Sequence, residues 1–239
     1  MEKTLLNKEK QDILNYEGNT LVIANPGTGK TLLLAHKYAH LIEKGEKPED
    51  ILCLTFTKKA KSEMEERILK VLKQKNIDIN INNLNVFNFH SYALNYLEED
   101  EVVSSNFLRF FIYKYFKDNE ILNYGDDYLL DTIVPKMENL IRYLKSFGIK
   151  PNNINLKELQ LNLTEYGKLS KEEMDNFAEY FIKTYEFYET EKTNLDYSDM
   201  LLEFKSIKNK PKFKHVLIDE LQDVNIIEAD IAFESGETF

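Results

Sequence analysis

Ala24-Asn25-Pro26-Gly27-Thr28-Gly29-Lys30-Thr31 is the stretch on which the reading of the fold turns. An apolar run, Thr20 to Ala24, precedes it, and an amphipathic helix is predicted to begin near Lys30. Phosphate groups carry several negative charges, so a site for them needs inward-facing backbone N–H groups, a helix N-terminus behind them and a cation nearby. Gly27 and Gly29 permit the tight backbone, Lys30 supplies the cation, and Thr31 places a hydroxyl where it suits a Mg²⁺ bridging the phosphates. Ala24 stands where the strict pattern has glycine. A strand before and a helix after the loop are the context that separates such a motif from a chance turn.

The second stretch lies far downstream: His215-Val216-Leu217-Ile218-Asp219-Glu220-Leu221-Gln222-Asp223. A β-branched apolar run ending in paired carboxylates fits a buried parallel strand with chemistry at its carboxyl end. Asp219 is the expected Mg²⁺ partner, through water, and Glu220 the expected base orienting an attacking water. An acidic helix cap explains the charges but not the apolar residues that lead into them.

The chain has 239 residues, 43% of them hydrophobic, enough for one large or two modest cores. No apolar run approaches the roughly 20 residues that span a bilayer, and Met1-Glu2-Lys3 opens a polar segment without a signal-peptide core, so a cytoplasmic location away from membranes is expected. The single cysteine, Cys53, has no internal partner and falls inside the run Ile51 to Phe56, where core packing is its expected role. A net charge of -10 argues against broad electrostatic capture of duplex DNA while leaving room for a local basic groove.

Leu21 to Ala24, Ile51 to Phe56 and Leu84 to Phe87 read as strands separated by helical patterns, the alternation of a parallel sheet flanked by helices. The helix after the loop carries Leu32, Leu33, Ala35, Ala39 and Ile42 on its apolar stripe and stops at Gly45. A second helix, about Ala60 to Gln74, turns Met64, Ile68, Val71 and Leu72 inward. From about Glu98 to Asn194 the texture changes to helical segments rich in Tyr and Phe, with a loop-like stretch over 150–163 and a capping box at Ser170-Lys171-Glu172-Glu173. The helix this box opens aligns Phe177, Phe181, Tyr185 and Tyr188. Such a stripe can stack bases, but helix-spaced aromatics more often form core. The acidic strand that must complete the phosphate site follows this region, so the sheet domain is expected to be discontinuous: 1–97 plus 195–239, with 98–194 as a helical insertion.

These segments together resemble the amino-terminal half of superfamily 1 DNA helicases of the UvrD, Rep and PcrA type. The resemblance rests on Leu6-Asn7-Lys8-Glu9-Lys10-Gln11, the phosphate loop, Leu54-Thr55-Phe56-Thr57-Lys58-Lys59-Ala60 with Glu63-Met64 and Arg67-Ile68, Asn88-Phe89-His90-Ser91, Leu195-Asp196-Tyr197-Ser198-Asp199-Met200-Leu201-Leu202 and Asp219-Glu220-Leu221-Gln222-Asp223. It covers the chain nearly end to end. It implies an α/β fold, a RecA-like P-loop NTPase sheet with an inserted all-helical subdomain, and an ATP-dependent helicase or translocase using ATP and Mg²⁺.

Carried over position by position, the resemblance implies that Ala24 to Thr31 hold the triphosphate, Thr31 and Asp219 the metal, and Lys30, Asp219 and Glu220 the chemistry. It gives Gln222 to sensing the γ-phosphate or attacking water and linking it to DNA, and Gln11 to the adenine edge, as an amide offering donor and acceptor can do. Thr55, Phe56, Thr57, Lys58 and Lys59, with Asn88, Phe89 and His90, match segments that contact single-stranded DNA. Apart from the resemblance, Gln11 reads equally as an exposed helix residue, and Lys58 and Lys59 as a solvated face. Asn88 stands where the family has Thr, and Asn25 replaces a common Gly, tolerable because Asn visits left-handed backbone more readily than most residues.

The family continues past the acidic motif with a further strand and a second RecA-like domain that directs arginines at the γ-phosphate. Such an arginine is worth roughly 10³ to 10⁵ in rate. These residues are therefore expected to be the first part of a longer helicase, inactive alone for unwinding, whose partners are single-stranded DNA and that second domain. Travel from 3′ to 5′ in DNA repair or replication is what the family implies. A different class also fits: a module that binds ATP and single-stranded DNA and regulates without unwinding.

Overall fold

The structure, a computed structural model, describes residues 7–97, 105–121, 125–159 and 171–239. The chain divides into two units, 1–97 with 204–239 and 98–203. In the first unit α1 (Lys8–Asn15), α2 (Lys30–Glu43), β1 (Ile51–Thr55), α3 (Lys58–Gln74), β2 (Asn85–Asn88) and α4 (Phe89–Leu94) follow one another. After the helical unit come β3 (Phe213–Ile218), α9 (Ile226–Glu234) and β4 (Gly236–Thr238). The sheet is parallel throughout, in the order β2-β1-β3-β4. The expected α/β sheet flanked by helices is therefore present.

β1 is buried at every position, as a central parallel strand must be when helices cover both faces. Ile51 and Cys53 of β1, Val86 of β2 and Leu217 of β3 join Ala35 and Tyr38 of α2 and Met64 and Ile68 of α3 in one core. Cys53 is fully buried there, and burial pushes its thiol pKa upward, so it is an inert packing residue. On β2, the neighbouring Phe87 instead meets Tyr92 of α4, ring centroids 5.8 Å apart. Most helices of this unit begin on a side-chain cap: Asn7 for α1, Thr57 for α3, Asn88 for α4 and Asn225 for α9. The last two are reciprocal boxes, closed by Ser91 and Glu228.

One expected strand is absent. Leu21 to Ala24 runs without a ladder, with Leu21 and Ile23 68% and 89% exposed. Its physical reason is distance from a neighbour: a groove of about 780 Å³ lies between this segment and Val216 to Ile218 of β3. The bond from Thr20 N–H to the Phe239 carbonyl, 2.8 Å, ties only its beginning. Extended backbone becomes a strand only when its polar groups meet a partner.

β4, by contrast, has no apolar run and was not expected. Its place is set by close approach, because a Cβ built on Gly236 would lie 2.3 Å from Val216 Cγ2. Val216 is β-branched and buried, so it cannot swing aside cheaply. Gly236→Ala is expected to cost about 1–3 kcal/mol, read as a lower urea midpoint of the sheet domain.

The second unit is helical. α5 (Ser105–Asp118), α6 (Val134–Lys145, entered through a π turn over Leu129–Ile133) and α7 (Lys171–Glu191) share a core that includes Ile112, Phe116, Met137, Ile141, Phe181 and Tyr185. The aromatic stripe of α7 is therefore core: Phe181, Tyr185 and Tyr188 are at most 1% exposed. Ser170 of the expected capping box lies outside the described residues, as does 160–163 of the loop-like stretch. α8 (Tyr197–Ser206) begins at Asp196, whose Oδ1 accepts from the N–H groups of Ser198 and Asp199 at 2.9 and 3.0 Å. Lys145, 3% exposed, reaches Glu189, Asp196 and Asp199 at 2.6–2.7 Å. Those carboxylates converge as a metal site would, but the Lys145 ammonium already holds the centre.

Candidate nucleotide and nucleic-acid site

Gly27 and Gly29 have φ of 78° and 86°, left-handed values that glycine adopts at least cost, and they turn the chain from the extended segment into α2. Thr28 closes the loop on itself, its hydroxyl donating to the Asn25 carbonyl at 2.8 Å. Gly29 is the N-cap of α2 and brings no side-chain acceptor, in contrast to the capped helices around it. The first turn of α2 thus offers backbone donors and the positive end of the helix dipole to an anion.

β3 delivers the acidic pair to the same place. The Asp219 N–H bonds to the Leu54 carbonyl at 3.0 Å, which holds the end of β3 beside β1. Thr31 Oγ1 then donates to Asp219 Oδ2 at 3.0 Å across 188 residues of sequence. Asp219 is 6% exposed, and burial raises its pKa, opposed by the Thr31 hydrogen bond and reinforced by the Glu220 charge.

Lys30 Nζ lies 3.9 Å from Glu220 Oε2 and donates to the Ala24 carbonyl at 3.3 Å. Glu220 sits in the left-handed region at φ 52°, ψ 49°, and its carboxylate accepts from Gln222 Nε2 at 2.5 Å. The structure thus brings Lys30, Thr31, Asp219, Glu220 and Gln222 together around the loop. A hydroxyl and a carboxylate 3.0 Å apart are hard oxygen donors, a set that fits Mg²⁺.

A cleft of about 1120 Å³ opens from the loop, passes Leu32 and His36 of α2, and reaches Arg67, Lys70, Val71 and Gln74 of α3. As lining of a cleft, Lys70 and Gln74 escaped the sequence reading and Val71 was read there only as core, although a spacing of three and four puts them on one helical face with Arg67. Lys10 escaped it too. Its ammonium donates to the Thr28 carbonyl at 2.8 Å, whereas Gln11 is exposed on the next position of α1.

The residues expected to meet DNA cluster at the carboxyl ends of β1 and β2, where Thr55 and Asn88 are register partners. Their exposure differs. Phe56 is 47% exposed, and Lys58 and Lys59 are exposed at the start of α3. Thr55 is buried, Thr57 caps α3 by accepting from the Ala60 N–H, and Asn88 caps α4. Phe89 is 1% exposed and anchors α4, so it cannot stack on a base without leaving the core. His90 is half-buried, and burial lowers its pKa, favouring the neutral ring. The open surface of this ridge is Phe56 and Thr57 with the two lysines.

Comparison with known proteins agrees with this geometry. Residues 5–234 match the model of the UvrD/REP helicase N-terminal domain. The chain is 28% identical over 242 residues to a probable DNA helicase of Mycoplasma pneumoniae, covering 95% of this chain and 43% of that relative. It is 31% identical over 248 residues to the ATP-dependent DNA helicase SRS2 of Saccharomyces cerevisiae, covering 92% of this chain and 20% of the relative. It is 28% identical over 243 residues to the ATP-dependent DNA helicase Rep of Buchnera aphidicola, covering 94% and 34%. The chain thus spans less than half the length of these relatives. With the phosphate loop, the acidic strand and the parallel sheet in one arrangement, the chain belongs to the UvrD/REP helicase N-terminal domain family.

Proposed function

We propose that this chain is the ATP-binding part of an ATP-dependent DNA helicase or translocase, whose complete form couples hydrolysis to movement on single-stranded DNA. The observation that carries the reading is the 3.0 Å bond between Thr31 and Asp219, which joins the phosphate loop to the acidic strand at the uncapped start of α2. Residues 24–31 cradle the triphosphate with backbone N–H groups, and Lys30 swings from Glu220 to the phosphates. Thr31 and Asp219 would hold Mg²⁺, which would offset phosphate charge. Glu220 orients and deprotonates the attacking water, and Gln222, bonded to Glu220, relays occupancy toward the DNA ridge.

In this reading Phe56 stacks on a base while Lys58 and Lys59 contact phosphates. Thr55, Thr57, Asn88 and His90 shape the backbone beneath them. The sheet domain is discontinuous, with the helical segment as an insertion, and a second RecA-like domain of a longer chain completes the site, so that this chain alone does not unwind. Travel is 3′ to 5′, in cytoplasmic DNA repair or replication. No described helix is long and apolar enough to cross a membrane. Support for the helicase reading comes from the family and the named relatives.

Lys30→Ala tests the reading. Removing the one side-chain cation of the loop is expected to weaken Mg²⁺-dependent binding of a fluorescent ATP analogue at least about tenfold, as loss of a charge-assisted bond of about 1.5–3 kcal/mol implies. Unchanged affinity would remove the phosphate site from this loop.

A further inference from the structure

α6 has two faces. Met137, Ile141 and Lys145 are buried in the helical unit. At the complementary spacings of three and four stand Lys136, Asn139, Tyr143, Phe147 and Lys150, all exposed, the last two just past the end of the helix. Tyr143 and Phe147 are 61% and 45% exposed, with ring centroids 5.0 Å apart. The aromatic stripe of α7 is core, but this pair is left in water, and contact between the two rings recovers only part of the burial they forgo. The turn that carries Phe147 is firmly built. Gly148 at φ 71° lets the chain reverse, the Ile149 N–H bonds to the Leu144 carbonyl at 3.0 Å, and the Ser146 hydroxyl donates to the Tyr143 carbonyl at 2.7 Å.

The charge around the pair has one sign. Residues 139–157 include no Asp or Glu but do include Arg142, Lys145, Lys150 and Lys157, in a chain whose net charge is -10. Glu138, at the edge of this stretch, has an 8% exposed side chain held between Arg109 and Arg142. Among the described residues, the ammonium groups of Lys136 and Lys150 have no acidic partner. Exposed rings flanked by unpaired cations suit a ligand with flat apolar faces on an anionic backbone. Single-stranded nucleic acid offers both, whereas a duplex hides its base faces in its own stack and an acidic peptide has the charge without the faces.

We propose that this face of α6 binds single-stranded nucleic acid, with Tyr143 and Phe147 stacking on unpaired bases and Lys136 and Lys150 contacting phosphates. The contact needs no ATP. It gives the helical unit a hold on the strand in addition to the one proposed for Phe56, Lys58 and Lys59.

The test is fluorescence anisotropy of a fluorescein-labelled oligothymidylate titrated, without nucleotide, with this chain carrying Phe56→Ala, Lys58→Ala and Lys59→Ala, so that the sheet-domain ridge does not contribute. Binding is expected to persist in that background. Tyr143→Ala and Phe147→Ala added to it are each expected to weaken binding about tenfold, as loss of one stacking partner does. Tyr143→Phe keeps the ring and should stay within about twofold. Lys136→Gln with Lys150→Gln should reduce the slope of log affinity against log salt by about 0.7 for each lysine. Both rings are exposed, so circular dichroism should show the alanine variants folded. Absence of binding in the background overturns the proposal, as does a blunt duplex that competes as well as the single strand. Folded alanine variants that bind unchanged also overturn it, and if they sediment as a smaller species than their parent, the face joins copies of this chain instead.

Discussion

Glu220→Gln in the complete protein is expected to lower DNA-stimulated ATP turnover about 10³-fold, within the range a positioned general base contributes. The two carboxylates at the end of β3 have separate environments. Asp219 is 6% exposed and engaged by Thr31, whereas the Glu220 side chain is 41% exposed and reaches the loop side of the site. Of the two, Glu220 is the one open to solvent, and so to the water that attacks a γ-phosphate in the proposed reaction. Its backbone is held at φ 52°, a conformation that costs a non-glycine residue about 1–3 kcal/mol and is kept only where the surroundings enforce it. The glutamine amide preserves the shape and the contact with Gln222, but it cannot accept a proton. Affinity for Mg²⁺-ATP is therefore expected to stay within about threefold while turnover falls, the signature of an interaction made in the transition state. Turnover within about tenfold of wild type would place the base elsewhere.

Much of this site could be read from the chain because its parts are local. Glycines that permit positive φ, a lysine and a threonine in succession, and a β-branched run ending in carboxylates each state their geometry within a few residues. β1, β2, β3, α2 and α3 were recognisable for the same reason, from period and punctuation. Thr20 to Ala24 misled because an apolar run specifies extended backbone, not a neighbour within hydrogen-bonding distance, and here a groove lies alongside it. Phe89 looked like a DNA contact by position in a motif, yet only the packing of α4 decides whether a ring faces solvent or core. Lys10 was hidden for a related cause. Its bond to the loop depends on where α1 lies, and two bonds from Lys37, on another helix, hold the far end of α1.

Lys145 was the least visible residue of all, because its partners are gathered by tertiary packing from α7 and the start of α8. Lys145→Met is expected to destabilise the helical unit by about 3–5 kcal/mol, the usual result of removing one side of a buried ion cluster. The methionine fills the volume but leaves Glu189, Asp196 and Asp199 facing one another, with Lys192 alone, bonded to Glu189 and Asp199 at 2.6 Å, to offset them. Burial by itself would raise the Asp196 pKa. The Lys145 charge and hydrogen bond, with the Asp199 N–H, overcome it and bring the value to about 2, from an ordinary 3.8. A carboxyl depressed in the folded state adds stability above its unfolded pKa and loses it as pH falls through the folded one. In the wild type, Asp196 thus contributes fully above pH 4 and progressively less toward about 2. Lys145 is shifted the opposite way: burial lowers its pKa, the three carboxylates raise it further, and the net rise means stability lost only in alkali, above its ordinary 10.5. In the variant the acid limb should reverse, since protonation now relieves repulsion, so lowering the pH from 7 toward 4 stabilises Lys145→Met relative to the wild type, while the half-buried histidines of the sheet unit, whose pKa burial lowers, weaken both proteins alike. Urea unfolding followed by circular dichroism at both pH values reads the difference. Adding Asp196→Asn and Asp199→Asn to Lys145→Met should recover most of the loss, whereas a variant whose deficit is independent of pH and unrescued would mean that Lys145 supports the unit through packing of its stem and not through its charge.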